Sequence, residues 1–241
     1  MKINCILFPT IVATMVTIPV HAATGSWSYE SPKIVSGEFA IRSACIMPAE
    51  AKLSKLGMKG TEGMSKESDD WSTSLQTLVE GHLKSAEVDV LPAMTAGSSN
   101  ASDDEIKQVV LQVEQKYDEI SAKINRKPKD IRKSRFTLGD QVALLPCAAK
   151  SDVLVFVKGE GRVVTGGKKT MGYLVGGATA SGASLVLTMA DAKTGEIIAF
   201  ARLVDAESFG QKFIQDAEKV YGEQLNKQLT KLRVGSHAAR K

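Results

Sequence analysis

Residues 184–204 read SLVLTMADAKTGEIIAFARLV, and this stretch decides the fold more than any other. Ser184–Ala190 and Glu196–Val204 are rich in apolar and β-branched residues, which predicts two strands. Asp191–Gly195 lies between them and is typical of a tight turn, because glycine adopts positive φ at little steric cost. The segment therefore predicts an antiparallel β-hairpin.

Further apolar runs upstream predict the rest of a sheet. Val153–Val157 reads VLVFV and residues 36–48 read SGEFAIRSACIMP, and both predict buried strands that are apolar on both faces. A helix beginning near Ser68 and a short strand at Val88–Leu91 complete a β-α-β unit, which favours parallel pairing. The polar stretch KLGMKGTEGMSKE of residues 55–67 predicts a long loop.

A second helix is predicted from Ser102, where Glu105 completes a capping box, to about Ile124. Its apolar residues recur every three or four positions, at Ile106, Val110, Val113, Tyr117, Ile120 and Ile124. This stripe has two interpretations: it covers the core of its own domain, or it is a surface for a partner. We favour the partner surface, because the polar segment before the helix and the basic segment after it are typical of hinges.

The fold class predicted is α/β: a single three-layer-like domain over residues 23–241 with a mixed sheet, in the order β-α-β, inserted helix, α-β-β-β-α. The helix at about 102–126 is the insertion, and a terminal amphipathic helix closes the chain. The chain has 241 residues with 43% apolar and 24% charged residues and a formal charge of +4. This composition excludes disordered, collagen-like and disulfide-scaffold classes.

The N-terminus predicts export. Lys2 precedes an apolar run from Cys5 to Val20, and Val20-His21-Ala22 has the small residues that signal peptidase requires. We expect residues 1–22 to be a signal peptide cleaved after Ala22; the alternative is an uncleaved membrane anchor. The cleavage site has no cysteine to lipidate. The expected location is the periplasm or the exterior.

The mature chain has two cysteines, Cys45 and Cys147. In an oxidising compartment they form a candidate disulfide. The alternative is two buried free thiols that pack as small apolar residues. Sequence alone leaves both open.

A basic cluster follows the second helix and is the strongest polar feature: Arg126, Lys127, Lys129, Arg132, Lys133 and Arg135. It is a candidate anion-binding patch for anionic lipid head groups or a cell-wall polymer. The alternative is a solvated linker between two helices. Nucleic acid is not expected, because the protein is exported and aromatic residues do not interleave the charges.

Motifs of enzymes, metals and cofactors are absent from the sequence: there is no G-x-S-x-G elbow, metal-ligand spacing or phosphate loop. We therefore expect no enzyme activity, no cofactor and no metal. The alternatives are a periplasmic hydrolase that combines His82 with Cys45 or Asp69/Asp70, and a small-ligand binder that uses the Gly159–Gly182 loop. The uncharged stretch from Thr170 to Ala190 is interpreted as loop plus strand, with a glycine-rich membrane element as the alternative.

Residues 172–203, GYLVGGATASGASLVLTMADAKTGEIIAFARL, resemble the closing half of a bacterial envelope α/β domain. That domain is shared by the curli-secretion lipoprotein, the TolB N-terminal domain and related exported proteins. The resemblance implies a hairpin that turns on D-x-x-T-G, here Asp191, Thr194 and Gly195, and a terminal helix that packs back. It implies a non-enzymatic binding or assembly module, with an envelope protein or further copies of the chain as partner.

Overall fold

The computed structural model describes residues 26–92, 103–132, 136–164, 181–205 and 216–232. Its strands are β1 (Trp27–Glu30), β2 (Ser43–Ile46), β3 (Glu50–Gly57), β4 (Gly60–Gly63), β5 (Asp89–Pro92), β6 (Val153–Val164), β7 (Gly182–Asp191) and β8 (Ile197–Asp205). The α-helices are α1 (Pro32–Ser36), α2 (Ser65–Ser85), α3 (Asp103–Arg126) and α4 (Ala217–Lys231). Three short 3₁₀ helices span Pro128–Arg132, Asp140–Leu144 and Ala148–Lys150.

The strands form one mixed sheet, ordered β1-β8-β7-β6-β2-β5; off this path, β3 pairs with the second half of β6, and β4 pairs with β3. The predicted hairpin is confirmed: β7 and β8 pair antiparallel, with Leu187 opposite Ala201. Gly195 has φ of 68° at the turn, and one carboxylate oxygen of Asp191 accepts the N–H groups of Lys193 and Thr194. The predicted α/β class is therefore correct.

β6 is the central strand, as its apolar sequence predicts, and it is longer than predicted. β2 precedes α2 in the sequence and β5 follows it. The two strands pair in parallel, which confirms the parallel β-α-β unit. β6 continues through Gly159 to Val164, so the first part of the predicted Gly159–Gly182 loop is strand. Residues 165–180 lie outside the described residues.

The predicted loop at residues 55–67 is wrong, since it contains the β3–β4 hairpin and the start of α2. β3 pairs with β4 only over Ser54–Gly57. Further back, side chains of α2 accept the outward backbone N–H groups of β3 and of Ala49, the residue before it. Ser72 Oγ accepts from Ala51 N at 2.8 Å and Ser68 Oγ from Leu53 N at 2.9 Å. A helix thus replaces the missing edge strand, and polar residues in β3 hid the strand from apolar-pattern reasoning.

Because a side chain of α2 bonds the edge of β3, we expect Ser72→Ala to lower the stability of the protein. Ala51 is 6% exposed, so its N–H would lose its acceptor away from water. We expect the free energy of unfolding to fall by about 1–3 kcal/mol in urea denaturation. Ser74→Ala is the matched control, because Ser74 donates to a helix carbonyl in the same way and supports no strand N–H. Equal losses in both variants would contradict the edge role of Ser72.

Helices cover both faces of the sheet. Trp71, Leu75 and Leu83 of α2 share one core cluster with Tyr221 and Leu225 of α4. α3 and the 3₁₀ helices form the cluster on the other face. On the α2 face, a Cβ atom at Gly159 would lie 2.6 Å from Leu75 Cδ1 and 3.0 Å from the Trp71 ring. Glycine in β6 therefore permits the close approach of α2.

The interpretation of the α3 stripe as a partner surface is wrong. Its six residues are 0–5% exposed and lie within the α3-side core cluster: Ile106, Val110, Val113, Tyr117, Ile120 and Ile124. The Tyr117 ring stacks on Phe156 at 4.3 Å, and its hydroxyl lies 2.9 Å from Thr188 Oγ1. α3 is one layer of the domain rather than a separable arm, because the sheet face beneath it is apolar and needs a cover.

The predicted signal peptide, residues 1–22, lies outside the described residues. None of the described helices is long and apolar enough to cross a membrane.

Candidate functional site

A groove with a volume of about 540 Å³ lies between α2 and the start of α4. Its lining is Thr73, Ser74, Thr77, Leu78, Gly81, His82, Ser85, Ala217 and Glu218. The groove is of mixed character: hydroxyl groups, one imidazole and one carboxylate lie beside apolar surface, to which Leu78 and Ala217 contribute. Clefts with convergent polar groups are the usual candidates for binding sites.

His82 and Glu218 meet in this groove. His82 Nε2 lies 3.1 Å from Glu218 Oε2, although 136 residues separate them in sequence. His82 is in the last turn of α2 and Glu218 in the first turn of α4, where the helix dipoles favour positive and negative charge respectively. Gly222 makes room for the carboxylate, since a Cβ atom there would lie 2.7 Å from Glu218 Cδ.

Three of the four hydroxyl groups that line the groove donate to carbonyls of their own helix. Thr73 Oγ1 donates to Asp69 O at 3.1 Å, Ser74 Oγ to Asp70 O at 3.0 Å, and Thr77 Oγ1 to Thr73 O at 2.9 Å. Each of these three oxygens keeps lone pairs that can accept a further hydrogen bond. A nucleophile requires the opposite arrangement, in which the hydroxyl donates to an imidazole.

The combinations suggested for a hydrolase are not brought together around His82. Cys45 is in the core cluster on the α3 side of the sheet, whereas His82 is on the α2 side. Asp69 and Asp70 are at the start of α2, outside the groove lining. Glu218 is the residue that sequence reasoning missed, because only the packing of α4 on α2 brings it to His82.

The second cleft, of about 230 Å³, lies where β2 ends and β3 begins, at Pro48 and Ala49. Lys158 crosses it: its Nζ is 2.6 Å from Glu50 Oε2, also bonds the Asp118 carboxylate, and lies 5.3 Å from the centre of the Tyr117 ring. Lys158 thereby joins β3, β6 and α3. We call this the strand-break cleft.

Burial and charge oppose each other in the strand-break cleft. Burial alone would raise the pKa of Glu50, but hydrogen bonds from Lys158 and Lys52 outweigh it and lower the pKa. Burial would lower the pKa of Lys158, but its bonds to Asp118 and Glu50 outweigh burial and raise the pKa. Glu114 differs, because desolvation dominates and raises its pKa.

Glu114 is therefore a carboxylate whose charge costs stability. Its raised pKa means that the cost is fully present above the folded-state pKa and absent below the unfolded-state pKa. We expect Glu114→Gln to raise the melting temperature at pH 7, and this gain to disappear as the pH falls below the ordinary pKa of glutamate. Melting curves between pH 3.5 and 7.5, in roughly half-unit steps, would measure the effect.

Glu119→Gln is the matched control for this pH dependence, because Glu119 is an exposed carboxylate on the same helix. It should change the melting temperature little at any pH. A Glu114→Gln protein that is less stable than the parent at pH 7 would contradict the desolvation argument.

The structure joins Cys45 and Cys147 in a disulfide, the first of the two alternatives. Both residues are buried, and the bond ties β2 to the segment between two 3₁₀ helices.

Four members of the basic cluster are exposed at the end of α3 and in the 3₁₀ helix after it: Arg126, Lys127, Lys129 and Arg132. Lys133 and Arg135 lie outside the described residues. Cations at a helix C-terminus also complement the dipole, so part of this pattern has a structural explanation.

No family model matches the chain, and no curated protein matches it. Solved structures that resemble it include a PelC dodecamer from Paraburkholderia phytofirmans and the same dodecamer with one substitution. They are 11% and 10% identical, with TM-scores of 0.37 and 0.38. The alignments cover 87% and 86% of this chain and 96% of each PelC chain. Likenesses this distant carry no argument about this chain.

Proposed function

We propose that the chain is an exported binding or assembly module of the cell envelope, without enzyme activity, and that the groove between α2 and α4 holds its ligand. The observation that carries this proposal is the groove itself. It has a volume of about 540 Å³, and the hydroxyl hydrogens of Thr73, Ser74 and Thr77 bond helix carbonyls, so that their oxygens are left as acceptors. Such a surface is suited to hold a ligand rather than to attack one.

The basic cluster supports a second contact with the envelope. Its four described members are exposed and follow one another closely in sequence, with Asp130 as the opposing charge. They would attract anionic lipid head groups or an anionic cell-wall polymer, most strongly at low salt. Further copies of the chain, or another envelope protein, remain the proposed protein partners.

A periplasmic hydrolase is the second candidate, and the His82–Glu218 contact is the observation that favours it. In that function Glu218 would orient His82 as a general base for water. His82→Gln would then abolish turnover while leaving binding intact. In the binding function, the same variant would change affinity and there would be no turnover to lose.

Site-specific photo-cross-linking in intact cells tests the proposed function. Thr73 is at the exposed rim of the groove, and a cross-linking residue there should form an adduct with an envelope constituent. Thr61 on β4 is the matched control, because it is exposed and outside the groove lining. The proposal is wrong if position 73 yields no adduct, if both positions yield the same one, or if the protein fractionates with the cytoplasm.

A further inference from the structure

The 3₁₀ helices Asp140–Leu144 and Ala148–Lys150 lie at the end of the sheet where β6 begins and β7 turns into β8. The chain enters the first of them beside the β7–β8 turn, because Leu138 N donates to Gly195 O at 2.9 Å. The second directly precedes β6, which begins at Val153. We call this end of the domain, with the turn and both 3₁₀ helices, the turn end.

The basic cluster lies at the turn end as well. Phe136 O accepts a hydrogen bond at 2.8 Å from the N–H of Ile197, the first residue of β8. Arg132 is four residues before Phe136, so the covalent chain keeps their Cα atoms within about 14 Å of each other. Ile131 is buried in the α3-side core cluster and holds this segment against the domain. The 3₁₀ helix Pro128–Arg132 therefore borders the turn end, and the last residues of α3 lead into it.

Positive charge dominates the exposed surface of the turn end. Residues 126–132, 136–152 and 191–196 contain six exposed cationic side chains: Arg126, Lys127, Lys129, Arg132, Lys150 and Lys193. Three of the five carboxylates in the same segments bond groups of the fold: Asp152, Asp191 and Glu196. The other two are Asp130 and Asp140. The cations are thus only partly balanced by carboxylates, and the surface attracts anions.

Leu144 adds an apolar side chain to this basic surface. It is 65% exposed, although Val142 and Leu145 on either side are buried in the α3-side core cluster. These buried neighbours and the disulfide at Cys147 anchor the segment that presents Leu144 to solvent. A bilayer with anionic head groups matches this combination, because its phosphates bind cations and its acyl boundary accepts an apolar side chain. A hydrated anionic polymer would bind the cations and leave Leu144 in water.

We propose that the turn end docks on a phospholipid bilayer with anionic head groups, with Leu144 inserted at the acyl boundary and the cations of the same end bound to lipid phosphates. This inference rests on the proposed location in the cell envelope. It also decides between the two anions proposed for the basic cluster, in favour of the lipid.

Co-sedimentation of the mature protein, residues 23–241, with lipid vesicles tests the inference. Vesicles of phosphatidylethanolamine with phosphatidylglycerol carry anionic head groups, and vesicles of phosphatidylcholine have no net charge. We expect the parent to bind the anionic vesicles, more weakly as the salt concentration rises, and not the neutral ones. Lys129→Glu/Arg132→Glu should weaken binding at least about thirty-fold, because two attractive charges become repulsive.

Lys59→Glu/Lys66→Glu is the matched control for charge. Both lysines are exposed, and they lie in the β3–β4 hairpin turn and the first turn of α2, next to the second half of β6 rather than its start. This variant has the same net charge as Lys129→Glu/Arg132→Glu and should bind as the parent does. Each protein should also melt close to the parent, since all four positions are exposed.

Leu144→Ser tests the apolar part of the contact. It should weaken binding to the anionic vesicles about ten-fold, because the leucine would no longer leave water on docking. Met58→Ser is the matched control, since Met58 is 71% exposed at the β3–β4 turn, away from the turn end. It should bind as the parent does.

The outcomes separate a bilayer from a polymer, and this inference from the proposed function. The inference is wrong if the parent binds neither kind of vesicle, binds both equally, or keeps its affinity in Lys129→Glu/Arg132→Glu. It is also wrong if Leu144→Ser binds vesicles as the parent does and the parent binds dextran sulfate, because the turn end would then be a general polyanion surface. An adduct from position 73 without vesicle binding would uphold the proposed function and overturn this inference. Vesicle binding without that adduct would uphold the docking surface and overturn the groove.

Discussion

Val113→Asp is expected to unfold the protein at neutral pH. Val113 is 0% exposed in the middle of α3, within the core cluster between α3 and the sheet. An aspartate there would bury a carboxylate without a partner, and the cost is at least about 4 kcal/mol, a large part of the stability of an ordinary domain. Circular dichroism and thermal melting would detect the loss.

Leu111→Asp is the matched control on the same helix, because Leu111 is 56% exposed. It should melt close to the parent. The pair also decides between the two interpretations of the α3 stripe. If α3 were an interaction arm, Val113→Asp would fold normally and lose only a partner; a folded Val113→Asp protein would therefore contradict the structure.

Removal of the disulfide is expected to produce the next largest effect. Cys45 and Cys147 are 102 positions apart, so their bond restricts a long loop in the unfolded chain. We expect the Cys45→Ala/Cys147→Ala protein to lose about 2–5 kcal/mol of unfolding free energy, as measured by guanidinium denaturation under oxidising conditions.

Thiol labelling provides the control for this prediction. In the unfolded, non-reduced protein neither Cys45 nor Cys147 should react, and reduction should expose both thiols. Reduction of the parent should also lower its stability toward that of the double variant. Two reactive thiols before reduction would show that the bond does not form in the protein.

The local elements of the fold were predictable from sequence where apolar pattern and turn residues agreed. The β7–β8 hairpin combines two apolar runs with a glycine at positive φ, and β6 has a continuous apolar run. α2 begins at Ser65 rather than at the predicted Ser68. Ser68 lies in the first helical turn, where its hydroxyl accepts a hydrogen bond from β3. These differences are small, since the pattern determines the face of an element more firmly than its ends.

The features that sequence reasoning missed depend on contacts between elements that are distant in the chain. The heptad spacing of α3 specifies an apolar face, but the same face suits a sheet or a partner. β3 was missed because α2 hydroxyl groups, rather than a neighbouring strand, satisfy part of its backbone. β1 was missed because it is a short edge strand whose four residues are half-buried.

The groove was even less accessible to sequence reasoning. His82 was recognisable as an unusual residue, but nothing local indicates Glu218 as its partner. Gly81 did carry a signal, since a glycine in the interior of an otherwise regular helix needs a reason. The structure excludes a packing reason among the described residues and leaves the groove as the explanation.

The most direct test of the central claim is the binding of Gly81→Gln protein to isolated cell envelopes. Glutamine favours the helix by about 0.5–1 kcal/mol over glycine and places a side chain in the groove. We predict that this variant melts at the same or a higher temperature than the parent and binds envelopes at least about ten-fold more weakly. Binding equal to that of the parent, in a protein that is fully folded, would contradict the assignment of the groove as the binding surface.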